Sequence, residues 1–244
     1  MKVNILGVKI DNLPRQDALK KIEDFFSDNL QHHIVTPNPE MVVAAEKDKK
    51  FLEILNKADL AVPDGFGLVL ASRYLRRPIL ERIPGVDLML DICEIAEQKN
   101  YSVFLVGAKE GLAKPEEVVR SLNKKFSRLK ISGDNLSREE AEENLIQKIN
   151  LEKPEILFVA LGAGRQEKFI AKNLDKIPSV KIAMGVGGAF DFIAKRIKRA
   201  PSWMRKVGLE WLWRLFMQPW RLKRILTATI KFSWKVIKNG KKYA

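Results

Sequence analysis

Two segments place an ionisable or amide side chain on proline-fixed backbone at the end of an apolar run. In Ile34-Val-Thr-Pro-Asn-Pro-Glu40, Thr36 and Asn38 each precede a proline, which holds them extended. Asn38 has the sequence of an N-cap and Pro39 that of a first helical residue. A helix N-terminus also favours anions, so capping and ligand contact are compatible. In Ala61-Val-Pro-Asp-Gly-Phe-Gly67, Pro-Asp-Gly is ordinary turn chemistry, which by itself makes Asp64 a turn residue. Its position after an apolar strand gives a second reading as a general base, because α/β sheets bind ligands beyond the carboxyl ends of their strands. Arg82, in Glu81-Arg-Ile-Pro-Gly85, is either half of a surface ion pair or a phosphate contact, for which the two-pronged guanidinium is suited.

Two glycine-bearing turns complete the set. Leu161-Gly-Ala-Gly-Arg-Gln-Glu167 and Met184-Gly-Val-Gly-Gly-Ala-Phe-Asp191 each follow a buried run and open a helix. Gly162, Gly187 and Gly188 let backbone N–H groups approach a diphosphate closely, beside the partial positive charge of a helix N-terminus. Neither turn fits GxGxxG and no GxxxxGK[ST] occurs, so dinucleotide and P-loop labels have no support. Asp-x-Asp, the paired acids that usually hold a metal on a nucleotide-sugar, is missing. Glu46-Lys-Asp48 reads as the solvated face of a lysine-laced helix, and the adjacent His32 and His33 lack a third ligand at a metal spacing. The single cysteine, Cys93, excludes a disulfide framework, and among Ile92, Ile95 and Ala96 it reads as helix packing.

The elements that must position these residues follow from hydrophobic periodicity. Strands are expected at Val3–Ile10, His33–Thr36, Leu60–Val62, Ser102–Gly107, Leu129–Ser132, Glu155–Leu161 and Lys181–Gly185. Helices are expected near 15–28, 39–57, 65–76, 85–99, 111–127, 137–150 and 165–176. This alternation predicts an α/β protein with a mostly parallel sheet and helices on both faces.

The charge is one-sided. Of the 44 basic and 30 acidic residues, 15 basic and one acidic (Glu210) fall in 195–244, which leaves 29 of each in 1–194. All five tryptophans lie in the same last stretch. The chain therefore divides into a neutral core, 1–194, and a cationic, Trp-rich helical appendage, 195–244. One helix is expected from Pro201 to about Met217 and a second from Pro219 onward. On a helical wheel the second gathers Arg221, Arg224, Lys231, Lys235 and Lys238 on one side, with Leu222, Ile225, Leu226, Ile230, Val236 and Ile237 opposite. Such a helix suits the interface of an anionic membrane; the alternative is a basic helix docked on its own body. No charge-free run exceeds ten residues, too short for a spanning helix, and the N-terminus does not read as a secretory signal. A nucleic-acid-binding module using the basic tail, or a Rossmann-like methyltransferase or dehydrogenase, is the rival class. The first lacks a helix-turn-helix, RNP-type strand or zinc module.

Five segments in register, TPNPEMVVAA (36–45), ADLAVPDGFG (58–67), RIPGVDLM (82–89), LGAGRQEKFI (161–170) and GVGGAFDFIAKRIKRAPSWMRKVGLEWLWRL (185–215), resemble the WecG/TagA/CpsF family of bacterial glycosyltransferases. The resemblance covers nearly the whole chain and is strongest to the teichoic-acid members. It implies a Rossmann-like core, inversion at the anomeric centre, and no cofactor or metal. The reaction implied moves N-acetylmannosamine from UDP-ManNAc to the 4-hydroxyl of GlcNAc on undecaprenyl diphosphate, building the ManNAc-β-1,4-GlcNAc linkage unit of wall teichoic acid. A related reading has the uronic acid of ManNAc as donor, for a capsule or common-antigen polymer. The partners implied are a UDP-sugar, the undecaprenyl-diphosphate-linked acceptor and the inner face of the cytoplasmic membrane, with no nucleic acid; self-association stays open. By position, Asp64 would be the general base, Thr36 and Asn38 pocket groups, and Arg82 and Gln166 substrate contacts. Arg214, Arg221 and Arg224 would be membrane-side cations facing the leaving group. The chain departs from the family's common pattern at Gly164-Arg165, where a Pro-Lys or similar pair is more usual.

Overall fold

The computed structural model describes residues 1–137 and 142–243. In chain order the elements are β1 (Lys2–Ile5), β2 (Val8–Asp11), α1 (Arg15–Asp24), β3 (His32–Val35), α2 (Pro39–Ala45), α3 (Lys49–Lys57), β4 (Leu60–Ala61), α4 (Phe66–Tyr74) and α5 (Gly85–Lys99). There follow β5 (Ser102–Ala108), α6 (Pro115–Lys125), β6 (Lys130–Leu136), α7 (Glu142–Glu152), β7 (Ile156–Ala160), α8 (Arg165–Asn173), β8 (Ile182–Gly185) and α9 (Ala189–Ile193). The tail contributes α10 (Ser202–Lys206), α11 (Glu210–Met217), α12 (Leu222–Leu226) and α13 (Phe232–Asn239). Positions 138–141 of the helix expected at 137–150 lie outside the described residues.

Six strands form one all-parallel sheet in the order β4-β3-β8-β7-β5-β6. Alternate residues serve opposite faces, as the pleat requires. Ile34, Leu105, Phe158 and Met184 join α1, α5, α6 and α9 in one core layer. On the other face, Phe104, Leu157 and Ala183 meet α7 and α8, while Val35 meets α2, α3 and α4. Cys93 lies in the first layer, as packing predicts, and burial pushes its thiol up to about 12.

The expected strand Val3–Ile10 is instead a hairpin. Leu6 and Gly7 turn the chain with φ of 52° and 92°, and the Asn4 carboxamide oxygen accepts from Gly7 N at 2.9 Å. Asp11, at the end of the hairpin, accepts from Ala61 N at 2.9 Å and so covers the open edge of β4. The single helix expected over 39–57 is two, because Asp48 caps α3 by accepting from Phe51 N at 3.0 Å. Glu46 is also not solvated: its carboxylate meets Lys235 of the tail at 2.8 Å, both side chains mostly buried.

The tail lies on the body, and two of its expected features change. The helix expected from Pro201 to Met217 breaks at Gly208, whose φ is 80° and whose backbone rests on the Phe66 ring so closely that a Cβ would overlap it. The second helix carries a π-turn at Thr227–Lys231, where the Thr227 and Thr229 hydroxyls donate back to Lys223 O and Ile225 O. That wider turn shifts the helical phase and divides the apolar side. Ile225, Phe232 and Val236 are buried, the last two in the α2–α4 core layer at roughly 1.5–3 kcal/mol per side chain. Leu222, Leu226, Ile230 and Ile237 face outward. The cationic side divides too: Lys235 turns inward to Glu46 and Arg224 pairs with Glu40 at the surface, while Lys231 and Lys238 stay exposed. Among the described residues no helix is long and apolar enough to cross a membrane.

Candidate active site

The sequence-predicted residues collect in two adjoining places at the carboxyl ends of the parallel strands. The first lies beyond β3 and β4. Asp64 N donates to Pro37 O at 3.0 Å, which ties the two proline-bearing loops together. The Asp64 side chain turns to the start of α5, where the Gly85 N–H acts on its carboxyl. Thr36 is buried against the same helix start; a Cβ on Gly85 would lie 3.1 Å from its hydroxyl. Asp64 therefore faces inward rather than standing at the tip of a turn.

Charged groups close around it. Arg82 Nη1 lies 3.6 Å from Glu210 Oε2, and Arg214 Nη2 lies 3.2 Å from Glu210 Oε1, with all three side chains largely buried. Arg82 is thus in an ion pair, though not at the surface. Arg214 also sits over the Phe192 ring at 4.9 Å. Burial raises the Asp64 carboxyl to about 6, the Glu210 charge pushes the same way, and Arg214, Arg82 and the Gly85 N–H oppose the rise. A carboxylate with a pKa near 6 is still ionised at neutral pH and holds a proton better than an ordinary aspartate.

The second place is a cavity of about 230 Å³ beyond β5, β7 and β8, lined by Gly162, Gly187, Gly188, Arg165, Asp191 and Arg221 among others. Gly162 and Gly187 have φ of 87° and 50°, and a Cβ on Gly162 would meet nothing within 4 Å. The turns thus leave backbone open to a ligand. Gln166, almost fully buried, braces them from behind. Its Oε1 accepts from Gly187 N at 3.0 Å, and its Nε2 donates to Glu167 Oε1 at 2.7 Å. Glu167 in turn accepts from Gly164 N at 2.6 Å and caps α8. Arg165 donates to Ser137 O at 2.9 Å.

The tail adds positive charge to this cavity, beside that of Arg165. Burial and the neighbouring Arg224 and Arg214 lower Arg221 to about 10, against the pull of Glu40 and Asp191. Cations gathered this closely favour an anion among them. Arg224 holds Glu40 through two bonds at 2.8 and 3.0 Å, and so is set to one side. Asn38 caps α2, accepting from Met41 N at 3.0 Å. Arg214 acts electrostatically on both Asp64 and Asp191, which links the two places.

Two residues of the site escaped the sequence reading. Asp191, whose carboxyl burial raises and whose Oδ1 accepts from Ala113 N at 3.2 Å, stands in the first turn of the helix that the GVGG turn opens. Glu210 is the lone acid of the tail, and that isolation was its signal.

The family model described as the glycosyl transferase WecG/TagA/CpsF family matches residues 3–244. The chain belongs to that family. A Staphylococcus aureus (strain MW2) protein named N-acetylglucosaminyldiphosphoundecaprenol N-acetyl-beta-D-mannosaminyltransferase is 33% identical over 243 residues, 99% of this chain and 94% of its own. A Bacillus subtilis (strain 168) protein of the same name is 34% identical over 225 residues, 88% of this chain and 86% of its own. Within this family of transferases, a glycine-lined cavity holding Arg165 and Arg221 suits the phosphorylated part of a donor.

Proposed function

We infer that the chain transfers N-acetylmannosamine from UDP-ManNAc to the 4-hydroxyl of GlcNAc on undecaprenyl diphosphate, forming the ManNAc-β-1,4-GlcNAc unit of wall teichoic acid. The observation that carries this reading is a glycine-lined cavity holding Arg165 and Arg221, linked through Arg214 to the Asp64 carboxyl, in a chain whose relatives bear that activity as their name. The UDP lies in the cavity, its diphosphate on the backbone of Gly162, Gly187 and Gly188 and near Arg221. The sugar's anomeric carbon points toward Asp64, with Thr36 and Arg82 beside it. Asp64 takes the hydroxyl proton as the new C–O bond forms, a role contributing about 10² to 10⁴ in rate. The bond to the donor diphosphate breaks on the opposite face, its electrons leave with UDP, and the anomeric centre inverts.

Arg221, with Arg214 and Arg224 near it, stabilises the charge that grows on UDP, so no metal is required for that task. Gln166 acts through the turns it braces. The exposed Trp203, Phe216, Trp220, Ile230, Trp234 and Ile237, beside Lys223, Lys231 and Lys238, form the surface that rests on an anionic bilayer at the cytoplasmic face, where the acceptor is held. The test is incubation with UDP-ManNAc, or with its uronate, and a short-chain GlcNAc-diphosphate lipid in the presence of EDTA. The disaccharide-lipid, detected by mass with UDP-ManNAc, is the expected result. Absence of product with either donor would remove this reading.

A further inference from the structure

We propose that the groove between the tail and α4 holds the diphosphate and first isoprene units of a prenyl-diphosphate acceptor. The assignment rests on the transferase reading above and adds where the acceptor lies. The groove encloses about 410 Å³, inside the roughly 300–1,000 Å³ range usual for small-ligand sites. One wall is the body: Phe66 and Val69 of α4, followed by Ile79 and Leu80, give it an apolar lining. The other is α10 of the tail, held there by the contact of Gly208 on the Phe66 ring.

The lining joins two chemistries that a prenyl diphosphate also joins. Arg73, Arg82, Arg205 and Lys206 stand around the apolar floor, against one acid, Glu81. Glu81 is engaged elsewhere, accepting from Arg15 N at 2.8 Å. Among the described residues Arg73 and Lys206 have no carboxylate within ion-pair distance. A free diphosphate would leave the apolar floor unused, and a hydrocarbon chain would leave the cations unused. The nucleotide has its own place, because the glycine turns line the other cavity.

Direction follows from Arg82. It lines the groove, pairs with Glu210 and acts electrostatically on Asp64. A diphosphate held at this end therefore carries its sugar toward the Asp64 carboxylate. Leu80 lines the groove and Trp203 stands on its tail-side helix, and both are more than half exposed.

Calorimetric titration of the full chain with farnesyl diphosphate and with inorganic diphosphate tests the assignment without requiring turnover. Farnesyl diphosphate should bind about tenfold or more tightly than inorganic diphosphate, and the exposed-residue double variant Arg73→Glu/Leu80→Glu should weaken it by a further factor of about ten or more. Arg73→Gln alone, with melting temperature as the check on folding, should weaken it severalfold. Equal binding of the two diphosphates, or unchanged farnesyl binding in folded variants, overturns the assignment. If the wild-type chain binds farnesyl diphosphate as described but never transfers a sugar, the function fails and the groove assignment stands. If it transfers sugar but does not prefer the prenyl ligand, the groove assignment fails and the function stands.

Discussion

The two halves of the site are built from different materials. Beyond β5, β7 and β8 the body offers backbone: glycines in left-handed or open conformations, braced by a buried, uncharged glutamine. Beyond β3 and β4 it offers one carboxylate, and the tail answers with Glu210 and Arg214. Backbone donors fixed by turns are suited to binding a diphosphate that arrives already charged. Side chains whose charges oppose and tune each other are suited to moving a proton. The difference shows what the tail adds: Glu210 raises and Arg214 lowers an Asp64 carboxyl that burial has already pushed up, while the glycine turns are braced by Gln166 and Glu167 of the body.

The largest effect expected on either half is from Asp64→Asn. Transfer should fall by about 10² to 10⁴. Burying a carboxylate whose pKa has risen to about 6 costs stability only where it is ionised. The cost is absent below the unfolded value near 3.8, grows as pH rises through about 6, and is complete above it. The variant should therefore melt no lower than wild type at pH 8, which circular dichroism would check. A variant that unfolds would show that the side chain is needed for structure instead.

Next in size is Arg221→Gln, which removes the tail's half-buried cation from the glycine cavity. A loss of about 10² in kcat is expected from comparable losses of transition-state donors, with the donor KM changed much less. An effect confined to KM would make Arg221 a binding group only. Smaller still is Gly162→Ala. Its φ of 87° disfavours alanine and the added Cβ points into the cavity, so about 1 kcal/mol of stability and a severalfold rise in donor KM are expected, with the Asp64 pH dependence untouched. A change in that pH dependence would join the two halves more closely than their contacts indicate.

Much of this division could be read from the chain before its structure. The β-branched runs at Ser102–Gly107 and Glu155–Leu161 became the interior strands β5 and β7, because buried parallel strands are apolar on both faces. The Pro-Asp-Gly loop and the two glycine turns fell where strand-to-helix connections place ligands. What stayed hidden depends on partners far away in sequence. Glu46 reads as solvated until Lys235 is brought to it, and Glu40 shows nothing until Arg224 arrives 184 residues later. The hairpin at Leu6-Gly7 lacks the Asn-Gly pair that marks such turns, so the apolar run appeared unbroken. The tail's wheel assumed a constant 3.6-residue turn, and the π-turn at Thr227–Lys231 broke that assumption.

The most direct measurement is the pH dependence of kcat/KM for transfer, from pH 5 to 8, in wild type and in Glu210→Gln. The wild-type rate should rise about tenfold per unit and level off near pH 6 as Asp64 loses its proton. Removing the Glu210 charge should move that limb to lower pH, because the charge raises Asp64. A flat wild-type profile across this range, or a limb that Glu210→Gln leaves in place, would contradict Asp64 as the base that the tail tunes.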